Sequence, residues 1–128
     1  MARVLALCGD LMFGSRIAAQ LQAAGEELEL LPDAAALGAR LQGPSEQRPL
    51  VLVVDLTSES EAGIGLVARL AVDRPRTLGF YSHVEADVRE RAEDAGFDLV
   101  VPRSRMAREG ASLVQRLLLE GPPRRTSE

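Results

Sequence analysis

The sequence predicts an α/β fold in which helices cover both faces of one parallel β-sheet. Short, continuous apolar runs alternate along the chain with longer segments in which apolar residues recur every three or four positions. The run Leu-Val-Leu-Val-Val at residues 50–54 contains no polar side chain, which is typical of a strand covered on both faces. Five strand–helix pairs follow one another, and a chain that returns through a helix after each strand pairs its strands in parallel.

The predicted strands are the five apolar runs, at residues 4–7, 28–31, 50–54, 77–81 and 99–101. A helix is predicted after each strand, with an apolar face made, in chain order, by Phe13, Ile17 and Leu21; the Ala-rich stretch 34–41; Ile64, Val67, Leu70 and Ala71; Val84, Val88, Ala92 and Ala95; and Met106, Gly110, Leu113, Val114, Leu117 and Leu118. Gly25 and Gly96 are placed to end the first and fourth helices, and the third ends near Pro75.

The order of the strands follows from the handedness of their connections. Right-handed crossovers leave few topologies for five such units, and we expect a flavodoxin-like (βα)5 three-layer sandwich with strand order 2-1-3-4-5. Residues 1–120 would form this single domain. Residues 121–128, which begin Gly-Pro-Pro, cannot continue a helix and predict a disordered tail or a linker.

The composition excludes several classes of site. The chain has 128 residues and a net charge of −4, and all 15 of its basic residues are Arg, which excludes a Lys-dependent phosphate loop and Schiff-base chemistry. The single cysteine excludes an internal disulfide, and the single His leaves too few ligands for a zinc cluster. The acidic balance gives no electrostatic reason for nucleic-acid binding, and no apolar run approaches the roughly 20 residues of a membrane span. We therefore expect a cytoplasmic protein without a nucleic-acid or membrane partner.

The residues that follow each strand are the candidates for a site, because ligands of open parallel sheets bind at the carboxyl ends of the strands. Asp10 follows the first strand, Asp55 follows the third, Tyr81 and Ser82 stand at the end of the fourth, and Arg103 follows the fifth. The carboxylate of Asp55 would face the guanidinium of Arg103 at this edge. We predict a direct ion pair between Asp55 and Arg103.

In their order along the chain, these segments resemble the receiver domains of two-component response regulators. The stretch after the third strand resembles the phospho-acceptor segment of that family, with Asp55 at the acceptor position and Gly63 eight residues later. Residues 82–96 are similar to the family's fourth helix, and the distance from Gly96 to Arg103 matches the family's spacing to its active-site Lys. The resemblance covers nearly the whole chain and implies the receiver fold.

Departures from the family pattern fall on its metal and switch positions. The two adjacent acids that hold Mg²⁺ in the family are replaced by Cys8 and a Gly, with Asp10 one residue later. The active-site Lys is replaced by Arg103, and the hydroxyl switch position falls on Tyr81 or Ser82.

These replacements weaken the chemistry of the site. Phosphoryl transfer to a carboxylate needs a metal ion to neutralise charge, and Mg²⁺ prefers oxygen ligands to a thiol. We therefore expect Asp55 to be an inactive phospho-acceptor position, with no metal, cofactor or catalytic residue. The resulting interpretation is a non-catalytic pseudo-receiver that signals through protein–protein contacts, with phosphorylation-independent or atypical switching.

Two alternatives remain open. The chain is a working receiver if Asp55 accepts phosphate from a histidine kinase, with Mg²⁺ as cofactor. It is a small-molecule or anion binder if the edge of the sheet holds a ligand without catalysis. In a purely structural role, Asp55 would cap the turn after a buried strand, and Cys8 would be a small buried hydrophobic residue.

A contact surface is predicted on the fourth and fifth helices, which in the family often form the dimer or effector surface. One sheet cannot bury the whole apolar arc of the fifth helix. The acids of the fourth helix would also meet the arginines of the fifth across a two-fold axis. The residues predicted to form this homodimer or partner interface are Arg105, Arg108, Leu113, Arg116, Leu117 and Leu119.

Overall fold

The computed structural model describes residues 3–42, 49–57, 60–70, 74–82 and 86–120. Five strands alternate with five helices along the chain, as the sequence predicts. The elements are β1 Val4–Leu7, α1 Leu11–Ala23, β2 Leu28–Leu31, α2 Ala34–Leu41, β3 Val51–Asp55, α3 Ser60–Ala68, β4 Arg76–Tyr81, α4 Ala86–Ala95, β5 Leu99–Pro102 and α5 Arg103–Glu120. The predicted tail at 121–128 lies outside the described residues.

All five strands pair in parallel in the order β2-β1-β3-β4-β5, which confirms the predicted topology. Val4 of β1 lies opposite Leu28 on one side and Val51 on the other. Asp55 lies opposite Phe80 of β4. Because the strands run in one direction, the residues that follow them collect at one edge of the sheet, the carboxyl edge.

The core consists of two layers, one on each face of the sheet. Val4, Ala6 and Cys8 of β1 pack in the layer that contains α1 and α5. Leu5 packs in the opposite layer, which contains residues of α2, α3 and α4, including Leu37. Successive residues of a strand point to opposite faces, so every position of a central strand must be apolar.

Some predicted boundaries shift by a few residues. Leu50 is 46% exposed and lies outside β3, whereas Asp55 completes the strand by pairing with Phe80. Helix α3 ends at Ala68, earlier than the predicted end near Pro75. Helix α5 begins at Arg103, directly after the last residue of β5.

Acidic residues cap the N-termini of two helices at the carboxyl edge. The Asp10 carboxylate accepts a hydrogen bond from the amide of Phe13 at the start of α1, and Asp33 does the same for Ala36 at the start of α2. At the opposite edge, Gly25 and Gly96 have positive φ angles of 87° and 111°, which other residues rarely adopt. Among the described residues, no helix is long and apolar enough to cross a membrane.

Candidate functional site

Asp55 lies at the carboxyl end of β3, near the middle of the sheet, and is 8% exposed. One carboxylate oxygen, Oδ1, accepts hydrogen bonds from the amide and the hydroxyl of Thr57, at 2.8 and 2.5 Å. The other, Oδ2, accepts a hydrogen bond from the thiol of Cys8 at 3.5 Å. Both oxygens of this carboxylate are therefore already engaged within the chain.

Cys8 follows β1 and is 3% exposed. Its thiol also lies 3.4 Å from the carbonyl oxygen of Asp10, so the single S–H hydrogen has two acceptor oxygens within reach, this one and Oδ2 of Asp55. Burial and then the negative charge of Asp55 raise the pKa of the Cys8 thiol to about 11. At neutral pH the thiol is therefore protonated, and it presents a hydrogen rather than a lone pair to Asp55.

Arg103 does not pair with Asp55, so the predicted ion pair is wrong. Its Nη2 instead lies 3.4 Å from Oδ2 of Asp10. Its guanidinium carbon stands 4.1 Å above the ring centre of Phe13, a cation–π contact. The Phe13 ring packs against Phe80, with 5.1 Å between centroids. This buried aromatic pair holds the guanidinium over α1, and the carboxylate of Asp55 is satisfied by Thr57.

The two candidates for the hydroxyl switch lie on opposite faces of the sheet. Tyr81 is buried in the layer of α3 and α4. Hydrogen bonding, first to Glu93 and then to Tyr81, raises the pKa of the exposed Arg89 on α4. Ser82 is half-buried and lines a cleft beside Arg103, in the other layer. Neither hydroxyl donates to Asp55.

The hydroxyl that donates to Asp55 therefore comes from Thr57, which was not among the residues predicted from the sequence. An Asp that accepts hydrogen bonds from the residue two positions later forms an Asx-type turn, and the pattern Asp-x-Thr after a strand is its sequence signal.

A small cleft of about 110 Å³ opens beside Asp55 at the carboxyl edge. Its lining residues are Leu7, Gly9, Pro32, Asp33, Ala34, Asp55, Ala62 and Gly63. Two of them are carboxylates, but Asp33 is engaged as the cap of α2. Asp10, the other nearby acid, caps α1 and contacts Arg103.

These donors do not fit Mg²⁺. The ion prefers an octahedral shell of oxygen atoms, usually with one or two carboxylates free to bind it. Here a protonated thiol occupies the position beside Asp55, and both neighbouring acids have other partners. Within the part of the chain that the structure describes, no group of three or more His, Cys, Asp or Glu side chains is arranged to hold a metal ion.

Several solved structures that share this architecture are described as response regulators. One from Thermotoga maritima superposes with a TM-score of 0.76, covering 93% of this chain and 98% of its own, at 12% sequence identity. A signal receiver domain from Bermanella marisrubri gives a TM-score of 0.77, covering 92% of this chain and 99% of its own, at 15% identity. The chain has the receiver fold. A phosphorylated cyanobacterial phytochrome response regulator also shares it, with a TM-score of 0.76 over 97% of this chain and all of its own, at 14% identity. No protein-family model and no curated protein matches the sequence.

Within the receiver fold, the predicted interface residues of α5 separate into two groups. Leu113 and Leu117 are each 3% exposed and pack in the core layer, so the prediction that they reach a partner is wrong. Their spacing places them on the stripe of α5 that faces the sheet. Leu119 is 89% exposed, because it lies outside that stripe.

The arginines of the predicted interface pair along their own helix; Arg108 and Arg116 are exposed and Arg105 is partly exposed. Arg105 contacts Glu109 at 3.4 Å, and Arg108 contacts the same carboxylate at 3.9 Å. Arg116 contacts Glu120 at 3.5 Å. Exposed pairs of this kind contribute little to stability, so a partner's carboxylates can replace them at small cost.

Proposed function

We propose that this chain is a non-catalytic receiver-like signalling module. It acts through protein–protein contacts, and its state does not depend on phosphorylation of Asp55. The observation that supports this proposal is the engagement of Asp55, whose carboxylate accepts hydrogen bonds from the Cys8 thiol and from Thr57.

The supporting argument concerns charge. Transfer of a phosphoryl group to a carboxylate brings two negative groups together, and a metal ion normally neutralises them. The protonated thiol of Cys8 adds no negative charge to attract a cation and stands where an oxygen ligand would be needed. Arg103 does not supply the missing positive charge at Asp55, because its guanidinium lies over the Phe13 ring and contacts Asp10.

A working receiver is the second candidate, and the position of Asp55 favours it. This residue ends the central strand β3 and borders an open cleft. One structure that shares the fold is described as phosphorylated. Phosphorylation here would disturb only the oxygen that attacks, either Oδ2, which accepts from the Cys8 thiol, or Oδ1, which accepts from Thr57.

Metal titration tests the proposal directly. We expect the amide signals around Asp55 in the full-length, ¹⁵N-labelled chain to show no saturable response to Mg²⁺. We also expect acetyl phosphate to leave the intact mass unchanged and a beryllium fluoride mimic to leave the spectrum unchanged. Asp55→Asn is the control. A phosphate adduct that disappears in Asp55→Asn, or saturable Mg²⁺ binding at low millimolar concentration, establishes the working receiver instead.

The proposed partner surface lies on α4 and α5, with a second copy of the chain as the simplest partner. Leu119 supplies its apolar element, at 89% exposure. Glu90 and Asp94 of α4 are exposed and have no ion pair among the described residues, so they remain available to a partner's arginines.

A further inference from the structure

We propose that the cleft between α1 and the start of α5 binds a phosphate group, either free or carried by a small phosphomonoester. This cleft is separate from the one beside Asp55 and has a volume of about 270 Å³. The residues that line it are Phe13, Arg16, Ser82, Arg103, Ser104 and Ala107. The proposal does not rest on the proposed function, because no lining residue hydrogen-bonds to Asp55.

Two guanidinium groups make the cleft electropositive. Arg16 projects from α1, is exposed and forms no ion pair with any residue that the structure describes. Arg103 is the first residue of α5, and its guanidinium lies over Phe13 of α1. Two arginines facing one space repel each other unless an anion lies between them, and a phosphate offers several acceptor oxygens to their forked donors.

Arg103 is already oriented for this task. The Phe13 ring lies 4.1 Å beneath its guanidinium carbon, and Asp10 contacts only Nη2, at 3.4 Å. An arginine has five N–H donors, so most of them remain available. Since the ring and Asp10 hold the side chain in place, less conformational entropy is lost when a ligand binds.

Two hydroxyl groups complete the cleft. Ser82, from the end of β4, and Ser104, from the first turn of α5, both line it. Helix α5 is 18 residues long and has no acidic residue in its first turn. The positive end of its dipole therefore adds to the field of the two arginines, and no lining residue is a carboxylate.

Size and net charge select a small ligand. The cleft is just below the range of about 300–1,000 Å³ that is usual for small-molecule sites, which suits a phosphate or a small phosphomonoester. A nucleic acid is disfavoured because the chain as a whole carries a net charge of −4. A bound phosphate would connect α1 to α5 without any phosphoryl transfer.

Titration of the full ¹⁵N-labelled chain tests this site, with inorganic phosphate in one arm and glucose 6-phosphate in the other. Sodium chloride at matched ionic strength is the salt control. We expect saturable shifts of the Ser104 amide and of the Nε signals of Arg16 and Arg103. The arm with the lower dissociation constant identifies free phosphate or the ester as the preferred form.

Variants localise the binding. Arg16→Gln should weaken it about tenfold or more, because a charge-assisted hydrogen bond is lost. Arg69→Gln, the same change at an exposed arginine just after α3, should leave it unchanged. Asp55→Asn should also bind normally, which separates this site from the chemistry of Asp55. Shifts that match those in chloride, or Arg16→Gln binding as tightly as the unmodified chain, would overturn the proposal.

Discussion

At the scale of single residues, Asp98 joins β4 to β5 at the edge of the sheet opposite the candidate site. Its carboxylate accepts hydrogen bonds from Arg74 at 2.8 Å and from the amide of Thr77 at 2.8 Å, and Arg76 approaches at 3.3 Å. Burial alone would raise the pKa of Asp98, but Arg74 and Thr77 outweigh it, and the net pKa is lowered.

This network makes stability depend on pH. A carboxyl group whose pKa is lowered on folding stabilises the fold at any pH above its ordinary pKa of about 3.9. This stabilisation is lost as the pH falls through the lowered pKa of the folded state. We expect Asp98→Asn to lower the free energy of unfolding by roughly 2–3 kcal/mol at pH 7, because buried donors lose a charged partner. Urea unfolding between pH 7 and strongly acidic conditions should show this difference shrink.

A control comes from an exposed acid at the same edge of the sheet. Glu27 is exposed and has no ion pair among the described residues, so Glu27→Gln should change stability by less than about 0.5 kcal/mol. A deficit in Asp98→Asn that stays constant at all pH values would show that the charge of Asp98 has no part in the effect.

Cys8 gives a second prediction at this scale. Because its thiol is 3% exposed and its pKa is raised to about 11, we expect iodoacetamide to modify the folded chain at neutral pH far more slowly than the urea-unfolded chain. Mass spectrometry measures both rates. In Asp55→Asn the pKa of Cys8 should fall, because a neighbouring negative charge is removed. Equal rates in folded and unfolded chains would contradict the buried, protonated thiol.

The candidate site was only partly predictable from the sequence. The rule that strands end at one edge correctly brought Asp10, Asp55 and Arg103 to the same region. That rule could not decide whether the guanidinium of Arg103 would pair with Asp10 or with Asp55. That choice depends on the Phe13 ring, which holds Arg103 over α1, and such a contact between distant residues leaves no periodic pattern.

At the scale of elements, the close contact of α3 with β3 depends on Gly63. A Cβ atom at this position would lie 2.8 Å from Cγ1 of Val54 and 3.1 Å from Cδ2 of Leu56, and both side chains are fully buried. Val54 is β-branched and belongs to a central strand, so it cannot move aside easily.

A pair of substitutions in this one helix tests the contact. Gly63→Ala should destabilise the protein by about 1–2 kcal/mol, since overpacking outweighs the gain in helix propensity. Gly65→Ala meets only the flexible end of Arg69, at 3.3 Å, and should stabilise by up to about 1 kcal/mol. Chemical unfolding measures both. A stabilised Gly63→Ala variant would show that α3 does not pack this closely.

Elements were more predictable than contacts because their signals are local. Four-residue spacing placed Phe13, Ile17 and Leu21 on the buried face of α1. The apolar run ending at Val54 located β3, although the strand begins one residue later and ends at Asp55. Asp55 was not assigned to the strand because its pairing with Phe80 involves a residue of another strand.

At the scale of the whole molecule, Leu119 is the most exposed large apolar side chain among the described residues. It is 89% exposed on α5, near the amino edge of the sheet, while Leu113 and Leu117 of the same helix are buried. A two-fold axis would bring two copies of Leu119 together and would place the carboxylates of Glu90 and Asp94 opposite a partner's arginines.

We therefore expect the unmodified chain to form a homodimer that Leu119→Arg combined with Arg116→Glu converts to a folded monomer. The first change removes the apolar contact, and the second places a negative charge where a partner's acids would lie. Sedimentation at micromolar concentrations measures the mass, and circular dichroism checks the fold. Met12→Arg is the control, because Met12 is 82% exposed but lies on α1 at the carboxyl edge, and this variant should remain dimeric. An unmodified chain that is monomeric at high micromolar concentration would exclude the homodimer and leave α4 and α5 to a different protein.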